Sequence, residues 1–452
     1  MESVRIRDSI ADPTLPQLRE AVNTAAMQRH FAQALKLLVN QRITDCRLLR
    51  ARYRPGRNCT LSYRLQIADS TTGQSGPVTI SLLICPRGES RDRFIRAQRA
   101  TPSDRILHLP ALEAVAWLFP QDRKLPGLPL LADAANVNTR LLPEVIEQIS
   151  PETRISEVSS EIISYVAERA CTLRLRVELC DERSDRRETR ILFAKTYPPD
   201  EVSAIWQKLQ RLWRCEPVKQ RQILMPQPLA CDAEACAIWQ SGLQGRTPAE
   251  FVSEPPTFFK LLTEVGATIA ALHQTRLADL SVTGIDEIIT RLSEAAALVS
   301  RIRPQRQAEL RTLVQRLTSS ASASGARPPA TLHGDLHLKN LLATADGVAL
   351  VDLDNLHTGD PAQEAGSLSA ALHYQALTGH YPRPVAEQAI THFIAGWQQF
   401  TGDELPQTAL HWHTAAALIY ERASRSVIRL SGERLTLIDD LIALAEQSAA
   451  RV

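Results

Sequence analysis

The sequence predicts an α+β protein, and three observations lead there. Two β-rich stretches lie within the first 240 residues. Apolar residues recur at helical spacing from Pro256 onward, and one short apolar hairpin interrupts that helical half. At 452 residues the chain is longer than one hydrophobic core serves, so two or three domains are expected, divided as 1–150, 151–240 and 241–452.

The elements follow in order. Leu15 to Val39 reads as a helix. Strands are expected over Cys46–Tyr53, Cys59–Ile67 and Val78–Cys85, the first two joined by the turn Arg54-Pro55-Gly56-Arg57. Residues 100–150 read as turns and short helices, punctuated by Phe119-Pro120-Gln121-Asp122 and Leu125-Pro126-Gly127. A second β-rich stretch covers about 155–197. Shifting the chain by 112 residues aligns 42–89 with 154–201 without a gap, and eleven of the 48 pairs are identical, among them Tyr53/Tyr165, Arg57/Arg169 and Cys59-Thr60-Leu61/Cys171-Thr172-Leu173. That agreement indicates a duplication. The copies differ where the second carries Lys195 and the first has Leu83, or Ile84 one register away.

A strand-like run, Ala233–Trp239, leads into a flexible connection from Gln240 to Gly245. Phe258, Leu261, Leu262, Val265, Ile269 and Leu272 then mark a helix. Two helices are expected in 285–318, a low-complexity surface loop in 319–329, and further helices over 384–400, 406–430 and 435–449.

Composition narrows the function. Apolar content of 44% and charged content of 23% are those of an ordinary globular protein. Lys and Arg number 52 against 50 Asp and Glu, a balance that implies no nucleic-acid or membrane-surface partner. The start, MESVRIRDSIADP, has no leader pattern, and no apolar run is long enough to span a bilayer. The eight cysteines show neither C-x-x-C pairing nor zinc spacing, so a reducing, cytoplasmic location is expected. Only seven residues are lysine, which makes Lys195, inside the apolar run ILFAKTY, informative.

The chemistry concentrates in 333–352: His-Gly-Asp-Leu-His-Leu-Lys-Asn, an apolar hairpin about Asp346-Gly347, then Asp-Leu-Asp. Asn340 and Asp352 fall on the two arms, directly opposite for a three-residue loop and diagonal for a two-residue loop, within roughly 5–8 Å of each other in either case. An amide and a carboxylate so paired are hard oxygen ligands suited to Mg²⁺ beside phosphate oxygens. Asp335, five residues before Asn340, faces the same spot and is suited to orienting a hydroxyl for phosphoryl transfer. A different reading takes His333, Asp335 and His337, which would share one face of a strand, as transition-metal ligands.

These residues resemble the aminoglycoside phosphotransferase and choline kinase group. The carriers are HGDLHLKN (333–340), VDLDN (351–355) and GDPAQEAGSL (359–368), with ILFAKTY (191–197), LQGRTPAEF (243–251) and IAALHQT (269–275) in support. The resemblance covers about 155–430. It implies a bilobal protein-kinase-like fold with a small β-rich N-lobe at 151–240 and a mainly helical C-lobe at 241–452. Residues 1–150 then resemble a second, degenerate N-lobe.

It also implies an ATP- and Mg²⁺-dependent kinase acting on a small-molecule hydroxyl. Asp335 would be the catalytic aspartate, Asn340 and Asp352 the metal ligands, and Lys195 the phosphate-binding lysine. Gln240 and Leu243 would offer backbone groups to the adenine, and His333 would structure the loop. The resemblance names no acceptor and no oligomeric state. The 405–430 region, with Glu404, Glu421, Arg422, Arg425 and Arg429, is not acidic, which leans towards a neutral or anionic metabolite such as a sugar. Arg422 and Arg425 could meet an anionic substrate, and Trp397 and Trp412 are expected in the core.

Three departures stand out. No glycine-rich loop precedes Lys195; Tyr165-Val166-Ala167-Glu168-Arg169-Ala170 is found instead. The helix after Lys195 has no acidic residue over 202–214. Glu364 stands where the group often has aspartate. A catalytically inactive pseudokinase or scaffold is therefore the alternative reading.

Overall fold

A computed structural model describes residues 12–37, 40–181, 186–321 and 327–452. These fall into two compact units. One comprises the residues up to Ser203 with Leu229–Trp239 and Ser426–Thr436. The other comprises Ala204–Pro228, Gln240–Arg425 and Leu437–Val452. The α+β class is as expected.

The first unit holds two five-stranded sheets. In one, β1 (Gln41–Arg54), β2 (Asn58–Asp69), β3 (Ser75–Ile84), β4 (Ile106–Leu109) and β5 (Ala114–Leu118) run in the order β1-β2-β3-β5-β4. In the other, β6 (Thr153–Val166), β7 (Ala170–Asp181), β8 (Arg187–Thr196), β9 (Pro228–Asp232) and β10 (Ala237–Ser241) run β6-β7-β8-β10-β9. A helix follows the third strand in each, Ser90–Ala100 after β3 and Pro199–Trp213 after β8. The first three strands of the copies have equal lengths of 14, 12 and 10 residues.

The likeness extends upstream of the sequence alignment. Asp12 Oδ2 accepts Tyr53 Oη (2.7 Å) and the Gly56 amide (2.8 Å); Asp122 Oδ2 accepts Tyr165 Oη (2.7 Å) and the Glu168 amide (3.0 Å). Asn23 and Asp133 cap the helices that follow. The same local arrangement, with its turn-holding aspartate, is thus present twice.

Several expectations change. The segment 15–39 is not one helix: short helices Leu18–Ala21 and Thr24–Ala34 are separated by the Asn23 cap, and Val39 lies outside the described residues. Residues 100–150 contain β4 and β5 as well as turns and helices, since runs of four and five residues become strands once β3 supplies a partner edge. The run Ala233–Trp239 begins as a turn, because Asp232 Oδ1 accepts the amides of Glu234 and Ala235 (2.9 and 2.8 Å). The strand starts at Ala237 and continues through Ser241, so Gln240 lies in a strand and not in a flexible connection. The expected loop 319–329 is described at 319–321 and 327–329 only.

The second unit is mainly helical. We label α1 (Pro255–Gln274), α2 (Ile285–Ile302), α3 (Gln307–Ser319), α4 (Pro361–Leu377), α5 (Arg383–Thr401), α6 (Gln407–Ala417) and α7 (Ile438–Ala449). The expected helix 406–430 is broken: after α6 the chain forms a π-helical turn over Leu418–Ala423 before Ser424–Ile428. Gly266 on α1 and Gly396 on α5 face each other's helix, and a Cβ on either would collide with the backbone of Phe393 or Thr263. Their absence of side chains lets α1 and α5 approach backbone to backbone. Among the described residues no helix is long and apolar enough to cross a membrane.

Candidate active site

The hairpin β11 (Leu341–Thr344) and β12 (Gly347–Leu350) pairs Thr344 with Gly347, so its loop is Ala345-Asp346 and Gly347 opens the second arm. Thr344 Oγ1 closes this turn, donating to the Gly347 carbonyl (2.8 Å) and accepting the Asp346 amide (3.2 Å). The register continues one step: the Val351 amide donates to the Asn340 carbonyl (3.0 Å). Asn340 is thus opposite Val351, so the two-residue loop sets Asp352 one step past Asn340's partner and not at the diagonal position expected of it. Asp352 then leaves the ladder in a left-handed conformation (φ 60°, ψ 49°), a region aspartate enters more readily than most residues. It is exposed.

Asn340 is buried, and its Nδ2 donates to the Asp335 carbonyl (2.9 Å). That bond commits the amide nitrogen and leaves Oδ1 as the atom available to a cation. It also fixes the loop 335–340 against the hairpin. His333, fully buried, ties the same loop to the other arm, its Nε2 donating to the Val351 carbonyl (3.1 Å). With Nε2 so occupied, His333 does not present it to a transition metal. Among the described residues no group of three or more His, Cys, Asp or Glu is arranged to hold a metal ion.

The loop is anchored from below by a residue that the sequence analysis marked only as a departure. Glu364, in the first turn of α4, is buried and accepts the His333 amide on Oε2 (3.0 Å) and the Gly334 amide on Oε1 (2.9 Å). Its Oε2 also meets His273 Nε2 (3.0 Å), and His273 Nδ1 meets Trp397 Nε1 (3.0 Å). An indole N–H only donates, so His273 Nδ1 must accept and its proton sits on Nε2. The contact with Glu364 is therefore a hydrogen bond from neutral imidazole and not an ion pair. Burial alone would raise the Glu364 carboxyl pKa, but the hydrogen bonds from His273 and the loop amides prevail and hold it below the usual glutamate value. Gly334 has φ +81°, and a Cβ there would strike the Asn355 carbonyl. His273 lies in the IAALHQT segment and Glu364 in GDPAQEAGSL. Their motifs were visible in sequence, but the chain from Trp397 through His273 to the loop was not.

Asp335 is partly exposed. His337 Nε2 is 3.8 Å from its Oδ2, and Arg425 Nη1 is 3.7 Å from its Oδ1. Burial pushes His337 below its ordinary pKa despite the nearby carboxylate, which keeps the ring neutral at neutral pH. Asp360 caps α4 through the Ala362 amide (2.8 Å), as expected of an aspartate before proline. The helix after Lys195 starts at Pro199, earlier than the 202–214 expected, and so carries Asp200 and Glu201 in its first turn; Lys208 on it donates to the Leu356 carbonyl (3.0 Å).

Lys195 lies on β8 of the sheet-bearing unit, with Nζ 5.3 Å from the centre of the Tyr197 ring. The register decides its counterpart: Thr172 pairs with Lys195 and Thr60 with Leu83, so Leu83 and not Ile84 is equivalent. Gln240 is the fourth residue of β10, and Leu243 follows the strand in non-repetitive backbone. The turn before Lys195 is tied down. Glu168 (φ +63°) matches Gly56 (φ +66°) but carries a buried carboxylate, bonded by Arg123 through two nitrogens (2.9 and 2.8 Å) and by Thr60 Oγ1 (3.2 Å). Trp397 and Trp412 are in the core, as expected.

Residues 184–407 match the model of the phosphotransferase enzyme family. Among solved structures, the chain is similar to the aminoglycoside phosphotransferase APH(3'')-Id of Streptomyces rimosus, at 15% identity over 64% of this chain and 98% of that one, with a TM-score of 0.40. It is similar to the choline kinase of Cryptosporidium parvum at 10% identity, covering 65% and 89%, with a TM-score of 0.44. An amicoumacin kinase in complex with AMP-PNP and Ca²⁺ is similar at 12% identity, covering 69% and 94%, with a TM-score of 0.44. No curated protein matches.

Proposed function

For a chain whose residues 184–407 carry the pattern of that phosphotransferase family, we propose an ATP- and Mg²⁺-dependent kinase that phosphorylates a hydroxyl of a small molecule. The observation that carries this reading is the convergence on one loop: Asn340 bonded to the Asp335 carbonyl, His333 bonded to Val351, and Glu364 holding the loop amides. Asp335 orients the acceptor hydroxyl and takes its proton late, which a loose phosphoryl-transfer transition state requires. The amide oxygen of Asn340 and the carboxylate of Asp352 are hard donors that fit Mg²⁺ in number and type when phosphate oxygens complete the coordination. Bound there, the ion would offset charge on the terminal phosphates.

Lys195 is assigned to the nucleotide phosphates, and Gln240 and Leu243 to backbone contacts with adenine. His333 structures the loop. Residues 1–150 form a degenerate copy of the N-lobe 151–240, and 241–452 form the C-lobe; the location is cytoplasmic. The acceptor is a neutral or anionic metabolite such as a sugar. A second reading, a pseudokinase that binds nucleotide without turnover, is favoured by one observation: the turn before Lys195 holds a buried, ion-paired Glu168 in place of glycines.

ADP release with Mg·ATP across a panel of hydroxyl acceptors tests the choice. An active enzyme loses roughly 10²–10⁴-fold in kcat on Asp335→Asn while its nucleotide affinity persists. Wild-type protein that binds Mg·ATP yet releases no ADP with any acceptor is the pseudokinase.

A further inference from the structure

The C-terminal helices bring two arginines to Asp335. Arg425 Nη1 is 3.7 Å from Asp335 Oδ1, and its side chain is 40% exposed. Arg422, one turn earlier, is 12% exposed; its Nη2 donates to Glu421 Oε2 (3.2 Å) and to the Ser367 carbonyl (3.4 Å). Glu421 is engaged further, accepting Ser367 Oγ on both oxygens (3.0 and 2.8 Å). Glu421 and Arg422 lie on the π-helical turn Leu418–Ala423, a conformation rare in helices and frequent where a helix serves a ligand. Burial depresses the Arg422 pKa from its ordinary value, with the Asp335 and Glu421 carboxylates opposing.

Resting on the kinase reading above, we propose that the acceptor bears an anionic group, a carboxylate or a phosphate, close to its reactive hydroxyl, and that Arg425, backed by Arg422, recognises it. A guanidinium beside the hydroxyl-orienting carboxylate repels a polycationic acceptor and matches an anionic oxygen pair with its planar fork. The spacing puts both interactions within reach of one small molecule: a hydroxyl bonded to Asp335 and an anionic oxygen bonded to Arg425, each at about 2.8 Å, can belong to one compact group across the 3.7 Å separation. A hydroxy acid or a hydroxyl-bearing phosphate ester satisfies this, whereas glycerol satisfies only the hydroxyl half. The Asp335–Arg425 contact is long for a hydrogen bond, so the pair can admit such a bridge without losing a strong bond between them.

The test uses the full chain and calorimetric titration of four probes, with and without Mg·AMP-PNP: D-glycerate, glycerol 2-phosphate, glycerol and choline. At least one anion should bind about tenfold or more tightly than glycerol or choline, and Arg425→Gln should weaken it by roughly tenfold or more, the loss expected for one charged hydrogen bond. Which anion prevails identifies carboxylate or phosphate. Equal or tighter binding of choline or glycerol overturns the proposal, as does the absence of any anion binding or an Arg425→Gln variant with unchanged affinity. Should Arg425→Gln not fold, the wild-type ranking of the four probes decides alone. Anion binding without any Mg·AMP-PNP binding would sink the kinase reading and leave the anion site standing; nucleotide binding with no anion preference would do the reverse.

Discussion

Glu364 shows how much one side chain can organise. Its two oxygens accept three donors, two of them backbone amides of the loop that presents Asp335. Glutamine in its place would turn an N–H₂ towards at least one of those donors. Glu364→Gln is therefore expected to cost about 2–4 kcal/mol in urea unfolding, and Glu364→Asp less. The folded carboxyl titrates below its ordinary value, so its contribution is fully present above about pH 4.5 and is lost as pH falls through the folded pKa. The wild-type stability should thus drop more steeply below pH 4.5 than that of the glutamine variant.

The closeness of Asn340 to the Asp335 loop, and of His333 to the hairpin, was legible in the sequence because a hairpin fixes local spacing. The sequence left His273 and Trp397 unread because their partner lies some 90 to 120 residues away. Helical periodicity assigns such residues to a core face without naming what they bond.

At the scale of elements, the duplication was legible in the strands and their lengths. The alignment began at residue 42, yet the equivalence begins at Asp12 and Asp122, where different neighbours hide a shared bond to a tyrosine. The strands β4 and β5 were missed because four or five residues carry too little alternation to register, while partner edges create them. The copies have also diverged. Leu83, at the position of Lys195, packs with Cys85, Ile106, Val115 and Trp117 in an apolar cluster, so the first sheet has core where the second has a lysine. The second sheet has Glu168 where the first has Gly56, and that carboxylate binds Arg123 and Thr60. Glu168→Ala should lower stability by about 1–3 kcal/mol, because it frees a half-buried guanidinium and a buried hydroxyl. Arg123→Ala combined with it should add less than its own cost, since the two share one interaction. Thermal melts of both single variants and the double variant measure that coupling.

The whole chain balances its charge at neutral pH, with 52 basic and 50 acidic residues, and particular buried groups add an acid sensitivity of their own. Burial holds His413 down to about 3 and His373 down to about 4, from 6.5. Below pH 6.5 the unfolded chain takes up protons that these folded imidazoles refuse. Each therefore removes about 1.4 kcal/mol per pH unit until its folded pKa is reached. Their stabilising neutrality is complete above pH 6.5 and fades as pH falls. His413→Leu should flatten the slope of unfolding free energy against pH between 6 and 4 by one such increment. It should leave stability at pH 8 equal or higher, because neither His413 nitrogen has a hydrogen-bond partner among the described residues.

The central claim is that Asn340 and Asp352 hold the cation that accompanies the nucleotide, beside Asp335. Titrating AMP-PNP into the wild-type chain and Asp352→Ala, with and without Mg²⁺, measures it most directly. The account predicts tight binding only with Mg²⁺ in the wild type, and a loss of roughly tenfold or more in the variant at an unchanged melting temperature. Affinity that ignores Mg²⁺, or survives Asp352→Ala intact, would contradict it.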